Sequence, residues 1–176
     1  MLANFLVEYC SPTLAGIKTA NLFNCQYGSH SRAELAFIIA LWNRRLNSKG
    51  VSLKVLRFSK GNALIYVYRE KQLKEDFKKN GVAEFLFSCG YDITNIQGCI
   101  ERLSKRICES ESFPHEIGLF LGYPLGDVTG FIENKGKNSL YNGFWKVYCN
   151  KNERGTYSGG WTRTRMHQRD FITCYK

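Results

Sequence analysis

The feature that most constrains this chain is a pair of short strand-like runs set between helical ones. In residues 51–58, apolar Val51, Leu53 and Val55 alternate with Ser52 and Lys54, and residues 63–68 are rich in β-branched and aromatic side chains. Ser59-Lys60-Gly61-Asn62 separates the two runs. Alternation of period two before a short glycine-bearing turn, and a β-branched and aromatic run after it, predict an antiparallel β-hairpin. A further strand is expected over residues 143–149, around Phe144-Trp145-Lys146-Val147-Tyr148, joining the same sheet.

The rest reads as helix. Residues 1–9 fit a short helix, and Ser11-Pro12 fits the start of a second one, running through Leu14, Ile17 and Leu22 toward Phe23. Serine before proline is a favoured N-cap and first-turn pair. Ser31-Arg32-Ala33-Glu34 is a capping box that opens the clearest helix, with Leu35, Ile38, Ile39 and Trp42 at core spacing and Gly50 as its stop. Residues 69–79 and 82–89 are helical, ending at Gly81 and Gly90. Asp92 or Thr94 caps another helix bearing Ile96, Ile100, Leu103 and Ile107 on one face. Pro114 and Pro124 each begin one more, over residues 115–121 and around Val128, Phe131 and Ile132. Helices, a hairpin, more helices and a late strand make an α+β protein with a small antiparallel sheet covered by helices.

At 176 residues the chain suits one domain. We expect it over residues 1–149, followed by an atypical basic tail over 150–176. No stretch approaches the roughly 18 apolar residues of a membrane span. The first residues lack a basic region, and Glu8 interrupts their apolar run, so no export signal is read and a cytoplasmic location is expected. The seven cysteines are odd in number and form no C-x-x-C pair, so most read as buried thiols. The net charge is +10: residues 1–150 carry 19 basic and 13 acidic side chains, and residues 151–176 carry six and two.

Three stretches carry a resemblance. They are Cys10 through Phe23 (CSPTLAGIKTANLF), Phe113 through Leu125 (FPHEIGLFLGYPL), and Asp127 through Asn138 with Trp145-Lys146-Val147-Tyr148. Over roughly residues 5–149 they resemble a bacterial family of domains of unknown function, number three-seven-nine-three, found mainly in anaerobic Gram-positive bacteria. The resemblance implies no established activity, cofactor or substrate. It implies a histidine where Tyr9 stands and an acid where Gly126 stands, and the tyrosine weakens any metal or acid–base pairing with Cys10. In the tail it implies a helix containing a cysteine. Met166-His167 must be encoded ATG-CAY, which read one base later contains the cysteine codon TGC. A frameshift or a genuine basic extension would each leave the tail poorly packed.

The residues that could carry chemistry are few. Cys10 lies just before the expected helix start, where the helix dipole and free N–H groups favour a thiolate. A buried cysteine packing that helix is the commoner explanation. His115 and Glu116 follow Pro114 in an expected first turn; they do not form H-E-x-x-H, because residue 119 is Leu. A general-base role is open to His115, and Glu116 has the ordinary alternative of dipole compensation. We expect Cys10 and His115 to meet at a shared site, with Ser11 nearby and Trp145 as an apolar wall.

No motif names a metal or cofactor, and the glycines form no phosphate loop. Lys54, Arg57, Lys60 and Arg69 with Tyr66 and Tyr68 give the hairpin a nucleic-acid-like composition. Three classes follow. The leading one is a binding or accessory protein for a small ligand, a metal or a redox or other protein partner. The others are a nucleic-acid-binding module using the hairpin and a small enzyme using Cys10 and His115.

Overall fold

The computed structural model describes residues 2–28, 31–110, 113–142 and 146–148. Trp145 and the whole of 149–176, including the expected tail, lie outside the described residues. The hairpin is present: β2 (Ser52–Ser59) and β3 (Asn62–Tyr68) pair antiparallel, with Ser59 opposite Asn62. Between Val55 and Arg57 the register shifts by a bulge. It reverses the side-chain parity of β2: Leu53 and Val55 face one core, Leu56 faces the other, and Phe58 returns to the first.

The third strand is not the late one. It is β1 (Ala20–Gln26), which pairs antiparallel with β3 from Ala20–Tyr68 to Gln26–Asn62, giving the order β1-β3-β2. The expected helix over residues 12–23 is therefore corrected. One continuous helix, α1 (Leu2–Leu14), contains Pro12 near its end rather than beginning there. The turn after it is a Schellman stop: Ile17 N–H donates to Pro12 O at 2.9 Å and Gly16 N–H to Thr13 O at 3.1 Å. Gly16 sits at φ +78°, the left-handed position this motif needs.

The late strand is corrected as well. Residues 146–147 form β5 (Lys146–Val147), paired with β4 (Tyr141–Asn142) in a separate two-stranded ribbon.

β3 decides the architecture, because helices cover both faces of the sheet. Ala63, Ile65 and Val67 face a core built with α1 and α2 (Arg32–Leu46). Leu64, Tyr66 and Tyr68 face the larger core, built with α3 (Glu70–Phe77), α4 (Val82–Ser88), α5 (Ile96–Glu109), α6 (Ile117–Phe120) and α7 (Leu125–Glu133). The α+β class holds, as three layers with the sheet in the middle.

Side chains tie the layers together through backbone groups. α2 opens with the Ser31–Glu34 capping box. Asn43 on α2 accepts from Leu53 N–H at 2.8 Å and donates to Leu53 O at 3.0 Å, completing the outer edge of β2. On the other face, Ser104 of α5 donates to the carbonyl of bulge residue Leu56. The N-cap of α5 is Asn95, not Asp92 or Thr94: its side chain accepts from Gly98 N–H at 2.9 Å. Asp92 instead closes the preceding turn on Thr94.

Candidate functional site

The residues singled out above fall on opposite sides of the sheet. Cys10 lies inside α1, two turns after its start and not at a helix N-terminus, so the free N–H groups expected beside its thiol are absent. It is fully buried among Leu6, Phe23 and the α2-side core. Ser11 is exposed on the same turn, and its hydroxyl back-bonds to Val7 O. His115 and Glu116 belong to the other core, in the turn that leads into α6, flanked by the buried Phe113 and Ile117. The expected meeting of Cys10 with His115 is not what the fold produces, because β3 and its neighbours stand between them.

Glu116 is 4% exposed. One carboxylate oxygen accepts from the Tyr91 hydroxyl at 2.9 Å and pairs with Arg106 Nε at 2.6 Å. Burial, and then the Glu116 charge, push the Tyr91 hydroxyl well above its ordinary range. Burial works against the Arg106 charge, but the Glu116 carboxylate outweighs it and holds Arg106 more firmly protonated. This network pins the α6 turn to α5. The His115 ring lies 5.1 Å from that of Phe131, and its buried Nδ1 has no hydrogen-bond partner among the described residues. Nearby, the fully buried Asp127 accepts from Tyr148 N–H at 3.0 Å.

Burial raises Cys25 and Cys89, and it pushes Cys99 up to about 11. Among the described residues no three His, Cys, Asp or Glu side chains converge as a metal site would require. The basic hairpin changes character too. Tyr66 and Tyr68 are buried, so neither offers a face for a base to stack on. Arg69 is a clamp: Nε and one Nη donate to Thr13 O and Leu14 O, both at 2.6 Å, and the other Nη donates to Lys49 O at 3.0 Å.

An open cleft lies elsewhere, between the start of α1 and the inner face of α2, with β1 as its floor. It has a volume of about 300 Å³ and is lined by Leu2, Ala3, Cys25, Tyr27, Leu35, Ile38 and Trp42. Tyr27 meets Phe58 edge-on at 6.0 Å, and the Arg45 guanidinium lies 5.9 Å from the Trp42 ring. The Tyr27 hydroxyl, the Trp42 indole N–H and the Cys25 thiol are the only polar side-chain groups among these lining residues. Sequence reasoning took Leu35, Ile38 and Trp42 as core alone. The signal that could have separated them is Trp42, a large side chain with a polar edge at the far end of the stripe.

The family described as Protein of unknown function (DUF3793) matches residues 6–172. The chain belongs to this family. The match runs past Tyr148, the last residue of the three stretches quoted from the sequence. No curated protein and no solved structure matches the chain. Among the described residues, no helix is long and apolar enough to cross a membrane.

The family-like stretches now have structural occupations. Cys10 through Phe23 is the α1–β1 corner, closed by the Gly16 turn, the Arg69 clamp and a buried Thr13–Asn21 hydrogen bond of 2.8 Å. Phe113 through Leu125 carries the Glu116 pin and the Phe120 carbonyl, which accepts from the Tyr66 hydroxyl at 2.6 Å. It turns at Gly122, φ +82°, where an added Cβ would meet Thr19 Oγ1 at 2.9 Å.

Proposed function

We propose that this protein binds rather than catalyses, and that the cleft between α1, β1 and α2 receives a small, largely apolar ligand. The observation that carries the reading is the cleft itself. Its volume of about 300 Å³ lies at the small end of ligand sites, and apolar walls with a few polar groups are how such sites select their occupants. The state of the reactive groups supports it. Cys10 is sealed in the core, Glu116 is spent on Arg106 and Tyr91, and the resolved thiol shifts are upward. Within the binding class, a small apolar ligand is therefore favoured over a metal or a thiol-reactive redox partner. A reducing bacterial cytoplasm suits the same reading, since buried Cys10, Cys25 and Cys99 would stay as thiols there.

The test is a titration of the full chain with 1-anilinonaphthalene-8-sulfonate and with decanoate, followed by dye emission and by dye displacement. Ala3 is exposed at the rim, so Ala3→Trp fills the cleft at little cost to the core. The expected result is saturable binding that weakens at least tenfold in Ala3→Trp, with an unchanged circular-dichroism spectrum. Equal binding by both proteins, or none by the wild type, removes the reading. Native mass spectrometry of protein purified without chelator would reveal a retained metal, the outcome that favours the competing arm.

A further inference from the structure

α2 is apolar on two sides. Outward, Phe37 is 65% exposed and Leu41 41%. Inward, Leu35, Ile38 and Trp42 line the cleft at i, i+3 and i+7, a single row along the helix. Arg45 continues that row one turn beyond Trp42, and its guanidinium lies 5.9 Å from the Trp42 ring. A cation therefore stands at one end of an otherwise apolar cleft.

The polar groups around it are donors. Tyr27 is only 8% exposed, yet its hydroxyl makes no hydrogen bond among the described residues, and neither does the Trp42 indole N–H. A buried polar group ordinarily has a partner, so the Tyr27 hydroxyl marks the cleft as built for a polar occupant and not for an alkyl chain alone. Indole and guanidinium can only donate. α1, β1 and α2 contain two acids between them, Glu8 and Glu34. Glu34 accepts from Ser31 N–H at 2.6 Å, at the opposite end of α2 from Arg45. Glu8 is exposed, on the side of α1 away from Leu2 and Leu6. Donors and a cation with no acid among them fit an acceptor that is itself negative. We propose that the ligand of this cleft is an amphiphilic carboxylate, with its apolar chain along Leu35, Ile38 and Trp42 and its head on Arg45. The inference rests on the cleft being the binding site proposed above, and names the chemical class it takes. The planar guanidinium offers a carboxylate two parallel N–H donors. Arg32 is the less suited cation: it lies 5.3 Å from the ring of Phe58, which does not line the cleft, and it shares its end of α2 with Glu34.

The test uses a neutral probe, N-phenyl-1-naphthylamine, bound to the full chain at pH 7 and displaced in turn by decanoate, decanol and decylamine. The three share one alkyl chain and differ in head charge. Decanoate is expected to displace the probe at about tenfold lower concentration than either of the others. Arg45→Gln should bring decanoate level with decanol while leaving decanol and the probe unchanged, and Arg32→Gln should keep the order of the wild type. Arg45 is exposed, so a circular-dichroism spectrum like that of the wild type is expected for its variant. Decanol or decylamine displacing as well as decanoate overturns the carboxylate and leaves cleft binding standing. So does a decanoate preference that survives Arg45→Gln. A wild type that binds neither the probe nor any of the three removes the inference together with the reading beneath it.

Discussion

Cys10 shows how one residue's meaning depends on where its helix ends. At a helix start its thiol would be activated; inside α1 it is a small apolar filler beside Leu6 and Phe23. Cys10→Ser puts a hydroxyl where sulfur packs, and should destabilise the fold by about 1–2 kcal/mol in urea titrations. Iodoacetamide mapping by mass spectrometry should modify Cys108, which is exposed, well before Cys10, which should react only after unfolding. Rapid alkylation of Cys10 in the folded protein would restore the activated-thiol reading. Glu116 makes the same point. Next to a histidine it looked like chemistry, but its oxygen is held by Arg106 and Tyr91 from two other segments, and no local spacing announces such partners.

The elements divide by how local their causes are. α2 was legible because its capping box, apolar spacing and Gly50 stop all act within one helix. The β2–β3 hairpin was legible for the same reason, whereas the bulge between Val55 and Arg57 was not read from the alternation. The α1–β1 corner was not. Asn21, Asn24 and Ala20 have weak strand preference, and Pro12 after Ser11 is a familiar helix start. The local clue on the other side was Gly16, placed four residues after Pro12, as a helix stop.

What makes β1 a strand is β3 beside it, more than 35 residues away in sequence, and what holds the corner is Arg69 at the end of β3. Arg69→Met should therefore cost about 2–3 kcal/mol by leaving three carbonyls without their donor. Arg69→Lys should recover little, because one ammonium cannot reproduce the fork. Urea unfolding of the two variants checks both expectations, and full recovery by lysine would reduce the clamp to a simple charge effect.

At the scale of the whole molecule, one three-stranded sheet separates two cores and gives each a different task. The larger core buries Tyr66, Tyr91 and Cys99, whose burial raises their proton affinities, Cys99 from 9.0 to about 11. A group whose folded pKa lies above its unfolded one contributes stability below the unfolded value and loses it as pH rises through the folded value. Urea midpoints should therefore begin to fall above about pH 9 and continue downward through pH 11. Cys99→Val should shrink the earliest part of that decline, to which the raised Cys25 and Cys89 also contribute, and leave the later, tyrosine-driven part. An unchanged profile in Cys99→Val would show that the thiol is not the group responsible. The smaller core, by contrast, leaves an unfilled cleft on the inner side of α2 and an apolar face on its outer side.

From sequence alone the α+β class, the hairpin, the capped α2 and the family resemblance could be read, because each rests on residues within a turn or two of one another. Family membership in turn says little about function, since its most recognisable stretches are occupied by the corner at Gly16 and the pins at Glu116 and Gly122. Only the tertiary structure decided that β1 completes the sheet, that Cys10 and His115 are held apart by it, and that α2 is apolar on both sides. Strand pairing, ion pairing and clefts are made by segments distant along the chain. Their free energies depend on burial and distance in the folded state, which no local spacing of residues encodes.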